Sequence, residues 1–134
     1  MSQFRFSVGP WNVHTGADSY GPETRKPIDL ETKFAKFAEL GFSAVQFHDD
    51  DAVPDLNNMT EEEIREYARG VKKLLDKYGL AAEFVAPRLW MDPHTQDGGF
   101  MSSREEDREF AMWRAYRSID IANELGCDMI VLWL

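Results

Sequence analysis

Residues 41–51, Gly-Phe-Ser-Ala-Val-Gln-Phe-His-Asp-Asp-Asp, place a glycine turn before an apolar run and a cluster of polar side chains directly after it. The run from Ser43 to Phe47 is typical of a buried strand. Because the polar residues follow without a break, we expect His48 and the three aspartates to lie at the carboxyl end of that strand. In a parallel barrel, this end of the strands carries the active site.

Segments with related patterns lie on both sides of this strand. Short apolar runs predict three more strands, at 4–8, 81–86 and 129–134. Apolar residues that recur at helical spacing predict three helices, at 29–40, 60–78 and 103–125. Strands and helices therefore alternate along the chain.

Polar residues at the helix starts support these limits. Asp29 is a good N-cap for the first helix, and Thr60 with Glu63 forms a capping box for the second. Ser103 with Glu106 has the same spacing at the start of the third helix. Each helix is followed by a glycine, a common C-terminal signal.

Strict alternation of strands and helices implies a parallel sheet with right-handed helical crossovers. Long loops follow the strands and tight turns follow the helices, as in a barrel whose site lies at the carboxyl ends of its strands. We therefore predict an α/β fold, a parallel (β/α)-barrel of the TIM type with about the first four strands and three helices of eight. A doubly wound open sheet has the same asymmetry, but no strand here precedes a glycine-rich phosphate turn.

The length of the chain limits the extent of the barrel. A complete TIM barrel has about 250 residues, and this chain has 134. Residues 1–134 are therefore expected to be the N-terminal half of a (β/α)8 barrel: a fragment, a truncated gene product or one half of an assembly. Open sheet edges recruit other chains, so a homo-oligomer is expected.

Composition excludes several partners. The formal net charge of −9 argues against nucleic acid and against an anionic membrane, because both require a basic surface. The sequence has one cysteine, no secretory signal pattern and no run of about 20 apolar residues that could span a bilayer. A cytoplasmic protein is expected, and the negative charge is compatible with a neutral substrate or a cation-binding site.

His48 and Asp51 are the candidate catalytic residues. Asp51 lies close enough in a tight turn to accept the Nδ1 proton of His48, which would leave Nε2 free for a substrate oxygen. The alternative is a strand end whose acidic side chains are solvated or bind helix amides. Three consecutive aspartates also suggest a cation site. Neighbouring side chains on an extended chain diverge, however, so no complete metal site is expected in this chain.

Tryptophans form a second group of candidates. Trp11 follows the first predicted strand, Trp90 follows the third and Trp133 ends the fourth, so all three are expected on the same face as His48. Aromatic faces at a barrel mouth stack against the C–H faces of sugars and other small polar ligands. The alternative is that these rings fill the barrel top as core. Trp113 lies in a helical stripe and is assigned to the core.

Several motifs resemble those of the xylose isomerases, metal-dependent aldose–ketose isomerases built on a (β/α)8 barrel. The similar segments are Phe-Ser-Val-Gly-Pro-Trp-Asn at 6–12, Gly-Ala-Asp-Ser-Tyr-Gly at 16–21, the stretch 41–51, Asp-Gly-Gly-Phe at 97–100 and Ile-Asp-Ile-Ala-Asn-Glu-Leu-Gly at 119–126. The resemblance extends across the chain and implies the N-terminal half of that barrel.

The resemblance also implies roles for individual residues. His48 would assist opening of the cyclic sugar at its ring oxygen, with Asp51 orienting it. Trp11 and Trp133 would be the two pocket tryptophans. Tyr20 lies in the loop that sends an aromatic side chain into a neighbouring subunit's site, where phenylalanine is usual.

The implied substrate is D-xylose or a related sugar. Two divalent cations, Mg²⁺, Mn²⁺ or Co²⁺, would promote a hydride shift between C1 and C2 in the complete enzyme. The family's metal ligands and its catalytic lysine lie on later strands, so this chain alone is expected to be inactive. The family is typically tetrameric.

The sequence departs from the family pattern around the pocket. Ala-Pro-Arg-Leu at 86–89 replaces a segment that usually carries threonine and asparagine, Trp90 replaces phenylalanine, and Leu134 stands where glycine is common. Substrate choice is therefore open. Two other functions also stay open: a non-catalytic half-barrel that pairs with copies of itself, and a sugar epimerase of the same barrel superfamily that acts at C3.

Overall fold

The computed structural model describes residues 4–16 and 22–133. These residues form a parallel sheet with helices packed against it, so the predicted α/β class with parallel strands is confirmed. The strands and α-helices are, in chain order, β1 (Ser7–Val8), α1 (Leu30–Glu39), β2 (Ala44–His48), α2 (Asp49–Ala52), α3 (Glu61–Lys77), β3 (Ala81–Ala86) and α4 (Glu105–Leu125). Short 3-10 helices lie at Pro10–Asn12, Leu56–Asn58 and Gly99–Met101.

The sheet has β2 at its centre, between β1 and β3. Val45 of β2 pairs with Ala82, and His48 pairs with Ala86. Between these pairs the register shifts by one residue, and Glu83 is the extra residue in β3. Side chains alternate between the two faces of a strand, so Phe47 points to the helices and His48 to the opposite face.

The hydrophobic core lies between the sheet and helices α1, α3 and α4. Phe34 of α1 and Phe47 of β2 are fully buried, and their rings meet edge to face with centroids 6.0 Å apart. α3 contributes Ile64 and Leu75, and α4 contributes Leu125. Burial of each such side chain stabilises the fold by about 1.5–3 kcal/mol. This packing fixes the position of β2 and of the residues that follow it.

The prediction of a fourth strand at 129–134 is wrong for the residues that the structure describes there. The segment makes a single parallel bridge, between Ile130 and Val85 of β3. Val85 donates its N–H to the carbonyl of Met129 at 3.1 Å and accepts the N–H of Val131 at 3.0 Å. The described chain therefore has three strands and four α-helices, where four and three were predicted.

Two side chains explain why this ladder stops. The next N–H on the β3 side would come from Pro87, and proline has none. At the other end, the carbonyl of Glu83 accepts the thiol of Cys127 at 3.1 Å, in place of the main-chain N–H of Met129. That N–H instead donates to the sulfur at 3.4 Å. Leu134 lies outside the described residues.

The predicted N-terminal caps of the helices were partly correct. Asp29 caps α1 by accepting a main-chain N–H at 2.8 Å, and Thr60 with Glu63 forms the capping box of α3. The capping box expected at Ser103 is wrong, because the chain enters α4 one residue later and Arg104 is the N-cap, with no side-chain hydrogen bond.

The first strand is shorter than predicted, and one helix was missed. Pairing with β2 begins only at Ser7, and Phe4 and Phe6 are 83% and 62% exposed. The missed helix, α2, has four residues. A segment of that length is too short to display the helical period on which the sequence prediction depends.

α4 buries a polar stripe that apolar periodicity does not reveal. Asp107, Arg114 and Ser118 are all buried. Ile119, which was expected in the core, is 41% exposed because it lies on the outer face, next to Ser118. Although α4 is 21 residues long, none of the helices in the described part of the chain is both long and apolar enough to cross a membrane.

Candidate functional site

His48 and Asp51 lie in contact at the carboxyl end of β2, where α2 begins directly. The single turn of α2 folds Asp51 back towards the strand end. Nδ1 of His48 lies 2.8 Å from Oδ2 of Asp51, and the main-chain N–H of His48 donates to the same oxygen at 3.2 Å. His48 is 6% exposed, so the contact is shielded from water. The structure brings the two candidate catalytic residues together, and their catalytic role stays a prediction.

Three tryptophan rings surround His48. The ring centroids of Trp11, Trp90 and Trp133 lie 4.2, 5.2 and 6.4 Å from that of His48. Trp90 and Trp133 stack on each other with centroids 5.4 Å apart, and both are partly open to solvent. Trp113 is half-buried and packs on a phenylalanine of α4 instead. The three tryptophans thus form an open aromatic surface beside a shielded histidine; their substrate-binding role stays a prediction.

A cavity of about 280 Å³ adjoins this aromatic surface, lined in part by Trp90, Trp133 and the turn Gly98-Gly99. The φ of Gly98 is +90°, and a Cβ at this position would lie 3.2 Å from a main-chain nitrogen. Only glycine avoids both the strained conformation and the close contact. Pockets for small ligands have volumes of about 300–1,000 Å³, so the cavity suits a ligand at the small end of that range.

Two arginines outside the predicted site residues hold the aspartate triplet, Asp49, Asp50 and Asp51. Arg114 of α4 donates from Nε to Oδ2 of Asp49 at 2.7 Å and from Nη2 to Oδ1 at 3.0 Å. Arg88, which follows β3, donates from Nε to both oxygens of Asp50 at 2.8 and 2.9 Å. The triplet therefore ties the end of β2 to β3 and to α4.

Burial and charge act together on Asp50. Burial raises the pKa of Asp50 above its ordinary value. Hydrogen bonds from Arg88 oppose this effect, whereas the negative charge of Asp49 adds to it. The hydrogen bonds of Arg88 therefore favour the ionised form of Asp50, whereas burial disfavours it.

A second histidine–aspartate contact lies on the other side of Arg114. Nδ1 of His94 lies 2.8 Å from Oδ1 of Asp92, and Oδ2 of Asp92 lies 3.9 Å from Arg114. Burial alone would raise the pKa of Asp92, but hydrogen bonds from the main chain and ring of His94 lower it below its ordinary value. With this residue included, the aspartates of the site outnumber its arginines by two.

The described residues do not fit a divalent cation. Ligand atoms of His48, Asp50 and Asp51 lie within 4.8 Å of one another. The guanidinium of Arg88, however, lies 2.8 Å from both Nδ1 of His48 and Oδ1 of Asp50. A cation bound by these three residues would have to displace a positive group that is already hydrogen-bonded to them.

Fold and site together define an α/β protein whose candidate site lies at the carboxyl ends of parallel strands, where the active sites of (β/α)-barrel enzymes are found. Residues 34–134 match the family model for the xylose isomerase-like TIM barrel. The chain therefore belongs to this family. Tyr20, which the resemblance to xylose isomerases assigns to a neighbouring subunit's site, lies outside the described residues.

Proposed function

We propose that this chain forms the sugar-binding and ring-opening part of an aldose–ketose isomerase of the xylose isomerase type, acting on D-xylose or a related sugar. The observation that carries the proposal is the contact of His48 with Asp51 inside a group of three tryptophan rings. The family match supports a sugar-processing barrel in general. The choice of an isomerase rests on the motif resemblance together with these contacts.

The aromatic surface is the proposed sugar-binding surface. The stacked rings of Trp90 and Trp133 offer a flat apolar face of the kind on which the C–H face of a sugar can pack. The excess of aspartate over arginine around the site disfavours a phosphorylated substrate, because an added dianion would be repelled. A neutral sugar is therefore the proposed ligand.

Ring opening requires one proton to leave and one to arrive. The hydroxyl on C1 loses its proton, the bond from C1 to the ring oxygen breaks, and the ring oxygen keeps the electron pair and takes up a proton. In this proposal His48 is the group that faces the ring oxygen, and Asp51 orients the imidazole. Positioned acid–base groups of this kind typically accelerate a step by about 10²–10⁴-fold.

Isomerisation of the open sugar requires more than the described residues. The proposal includes two divalent cations, Mg²⁺, Mn²⁺ or Co²⁺, which supply Lewis-acid chemistry when bound. Their ligands would come from outside the described residues, because His48, Asp50 and Asp51 are engaged with Arg88. The proposed active form is a cytoplasmic homo-oligomer in which Tyr20 reaches a neighbouring subunit.

Sugar binding tests the proposal directly. Titration of the chain with D-xylose and with D-glucose should give a saturable change in tryptophan fluorescence. Trp90→Phe and Trp133→Phe should weaken binding roughly two- to tenfold, because an aromatic contact contributes about 0.5–1.5 kcal/mol. Trp113→Phe, outside the group around His48, is the matched control and should bind as the parent does. The absence of a saturable change with any aldose would contradict the proposal.

Product analysis separates related activities. With Mg²⁺ and the residues that complete the site, an aldose should give its C1–C2 ketose isomer. A C3 epimer would instead identify an epimerase, an activity also found in this domain family. Turnover by residues 1–134 alone would contradict the assignment of the metal ligands to other segments.

A second candidate function is a non-catalytic half-barrel that assembles with copies of itself. The observation that favours it is the exposure of large apolar side chains: Phe6, Leu132 and Trp133 are 62%, 48% and 56% exposed. A contiguous apolar patch marks an interaction site, so this candidate requires that a second copy cover these side chains together. Both candidates predict an oligomer in sedimentation velocity, so sugar binding distinguishes them: this candidate predicts a defined oligomer that shows no sugar-dependent fluorescence change.

A further inference from the structure

Nδ1 of His48 has two neighbours at the same distance. Oδ2 of Asp51 and Nη2 of Arg88 each lie 2.8 Å from this nitrogen. The two neighbours require opposite states of it. Asp51 can only accept a hydrogen bond when ionised, whereas the guanidinium of Arg88 can only donate one. A neutral imidazole carries one proton, so Nδ1 can satisfy only one of them.

Arg88 is held firmly in the position from which it contacts His48. Its Nε donates to both carboxylate oxygens of Asp50, and its main-chain N–H donates to Oδ1 of Asp49 at 3.0 Å. The guanidinium carbon lies 5.7 Å from the ring centre of Trp90, a cation–π distance. Because Asp50 is bound through Nε, both hydrogens on Nη2 stay available for other acceptors.

Asp51 does not depend on the imidazole proton. Its Oδ2 accepts the main-chain N–H of His48 at 3.2 Å, and its Oδ1 lies 3.3 Å from Nη2 of Arg88. A proton on Nδ1 would bring two N–H donors to within 2.8 Å of each other. Without that proton, Nδ1 and Oδ2 of Asp51 are two acceptors 2.8 Å apart, and the positive Nη2 of Arg88, at 2.8 Å from Nδ1 and 3.3 Å from Oδ1 of Asp51, contacts both residues.

We propose that Arg88 is a positioning residue that makes Nδ1 of His48 a hydrogen-bond acceptor, so that the proton of the neutral ring lies on Nε2. This reverses the sequence-based expectation, in which Asp51 accepts the Nδ1 proton and Nε2 is left free. The consequence for the sugar rests on the proposed function: His48 presents the N–H of Nε2 to a sugar oxygen. A ring oxygen has lone pairs and no proton, so it can accept this hydrogen bond.

The test reads the tautomer directly. Long-range proton–nitrogen NMR spectra of ¹⁵N-histidine-labelled protein distinguish a protonated from an unprotonated ring nitrogen. The chain has three histidines, and His48→Gln identifies the signals of His48. Spectra are recorded near pH 8, above the ordinary imidazole pKa of about 6.5. We expect His48 to show a protonated Nε2 and an unprotonated Nδ1.

Arg88→Met should move the proton to Nδ1, where Asp51 can accept it. Arg88→Lys keeps the charge but loses the planar fork, so the Nε2-protonated form should decrease. Arg69→Met removes an arginine that contacts Glu62 and Glu124, away from His48, and should leave the tautomer unchanged. Circular dichroism checks that each variant is folded.

A protonated Nδ1 in the parent protein overturns the proposal, and so does a tautomer that Arg88→Met leaves unchanged. The parent spectrum decides even if the variants do not fold. Failure of the proposed function is a separate result, because absence of sugar binding leaves the tautomer assignment intact. A protonated Nδ1 with normal sugar binding would remove the role of Arg88 alone.

Discussion

Removal of Arg114 should be among the most damaging single changes in this chain. Arg114 and Asp49 are 4% and 0% exposed, and two hydrogen bonds of 2.7 and 3.0 Å join them. Arg114→Met keeps most of the side-chain volume but leaves a buried carboxylate without its counter-charge. Breaking a buried pair in this way costs about 3–5 kcal/mol.

Other hydrogen-bond donors to Asp49 remain in Arg114→Met, and they place the expected loss of unfolding free energy near the lower end of that range. Asp49 would keep the main-chain N–H groups of Asp50 at 2.9 Å and Arg88 at 3.0 Å, and the hydroxyl of Ser118 at 3.4 Å. We therefore expect a loss of about 3 kcal/mol. The double variant Asp49→Leu with Arg114→Met removes the buried carboxylate of Asp49 together with its counter-charge. It should be at least about 1 kcal/mol more stable than Arg114→Met, because the two sites couple.

Urea unfolding at pH 7, followed by circular dichroism, measures these differences, provided that the slopes agree between variants. Arg69→Met is the control, since Arg69 itself is 43% exposed, its partners Glu62 and Glu124 are 73% and 27% exposed, and surface pairs contribute about 0–1 kcal/mol. A loss below about 1 kcal/mol for Arg114→Met would refute the reasoning. The reasoning would also be refuted if the double variant lost as much unfolding free energy as the single variants Asp49→Leu and Arg114→Met lose together.

Three further changes test other parts of the structure. The pKa of Asp92 is lowered from its ordinary value of 3.8, so the ionised carboxyl stabilises the fold above pH 3.8 and loses that contribution as the pH falls further. Unfolding free energies measured from pH 2 to 7 should therefore fall more steeply on the acid side for the parent than for Asp92→Asn. Gly126 ends α4 with φ +72°. Gly126→Ala should lower the free energy of unfolding by about 1–2 kcal/mol, measured as a shift of the urea midpoint at constant slope. No shift would show that this backbone conformation relaxes. Phe34→Ala removes a fully buried ring from contact with Phe47. By the same assay it should lower the free energy of unfolding by about 3–5 kcal/mol, and a loss under 1 kcal/mol would mean that the core collapses around position 34.

The sequence predicted the elements whose own side chains determine them. β2 and α3 have strong apolar patterns, and Thr60 with Glu63 marks the start of α3 without reference to any other segment. The fourth strand was mispredicted because its pairing depends on its neighbour. Its own apolar residues allow a ladder, but Pro87 and the thiol of Cys127 end the ladder at one bridge.

The candidate site was predicted only where local sequence determines it. His48 and Asp51 are three residues apart, so a turn was enough to expect their contact. Arg88 and Arg114 lie 40 and 66 residues from His48 along the chain, and arginine usually indicates an exposed position. One signal was available: Arg114 lies at helical spacing from Ala111, Ser118 and Ile121, which are all buried. A charged residue on the same helix face as apolar residues such as Ala111 and Ile121 implies a buried partner, and the aspartate triplet is one of three runs of three acidic residues in the sequence.

The extra residue in β3 has a consequence for how the site can vary. Successive side chains of a strand point to opposite faces of the sheet, so one inserted residue moves every later side chain of that strand to the other face. With regular pairing, Val85 would stand beside His48; the irregularity at Glu83 places the small Ala86 there instead. The two residues from Ala86 to Arg88 then bring the guanidinium to the level of the imidazole. The geometry of the site therefore depends on this extra residue, and deletion of Glu83 alone would shift it, although the Glu83 side chain bonds Ser7 and Gln46 rather than His48.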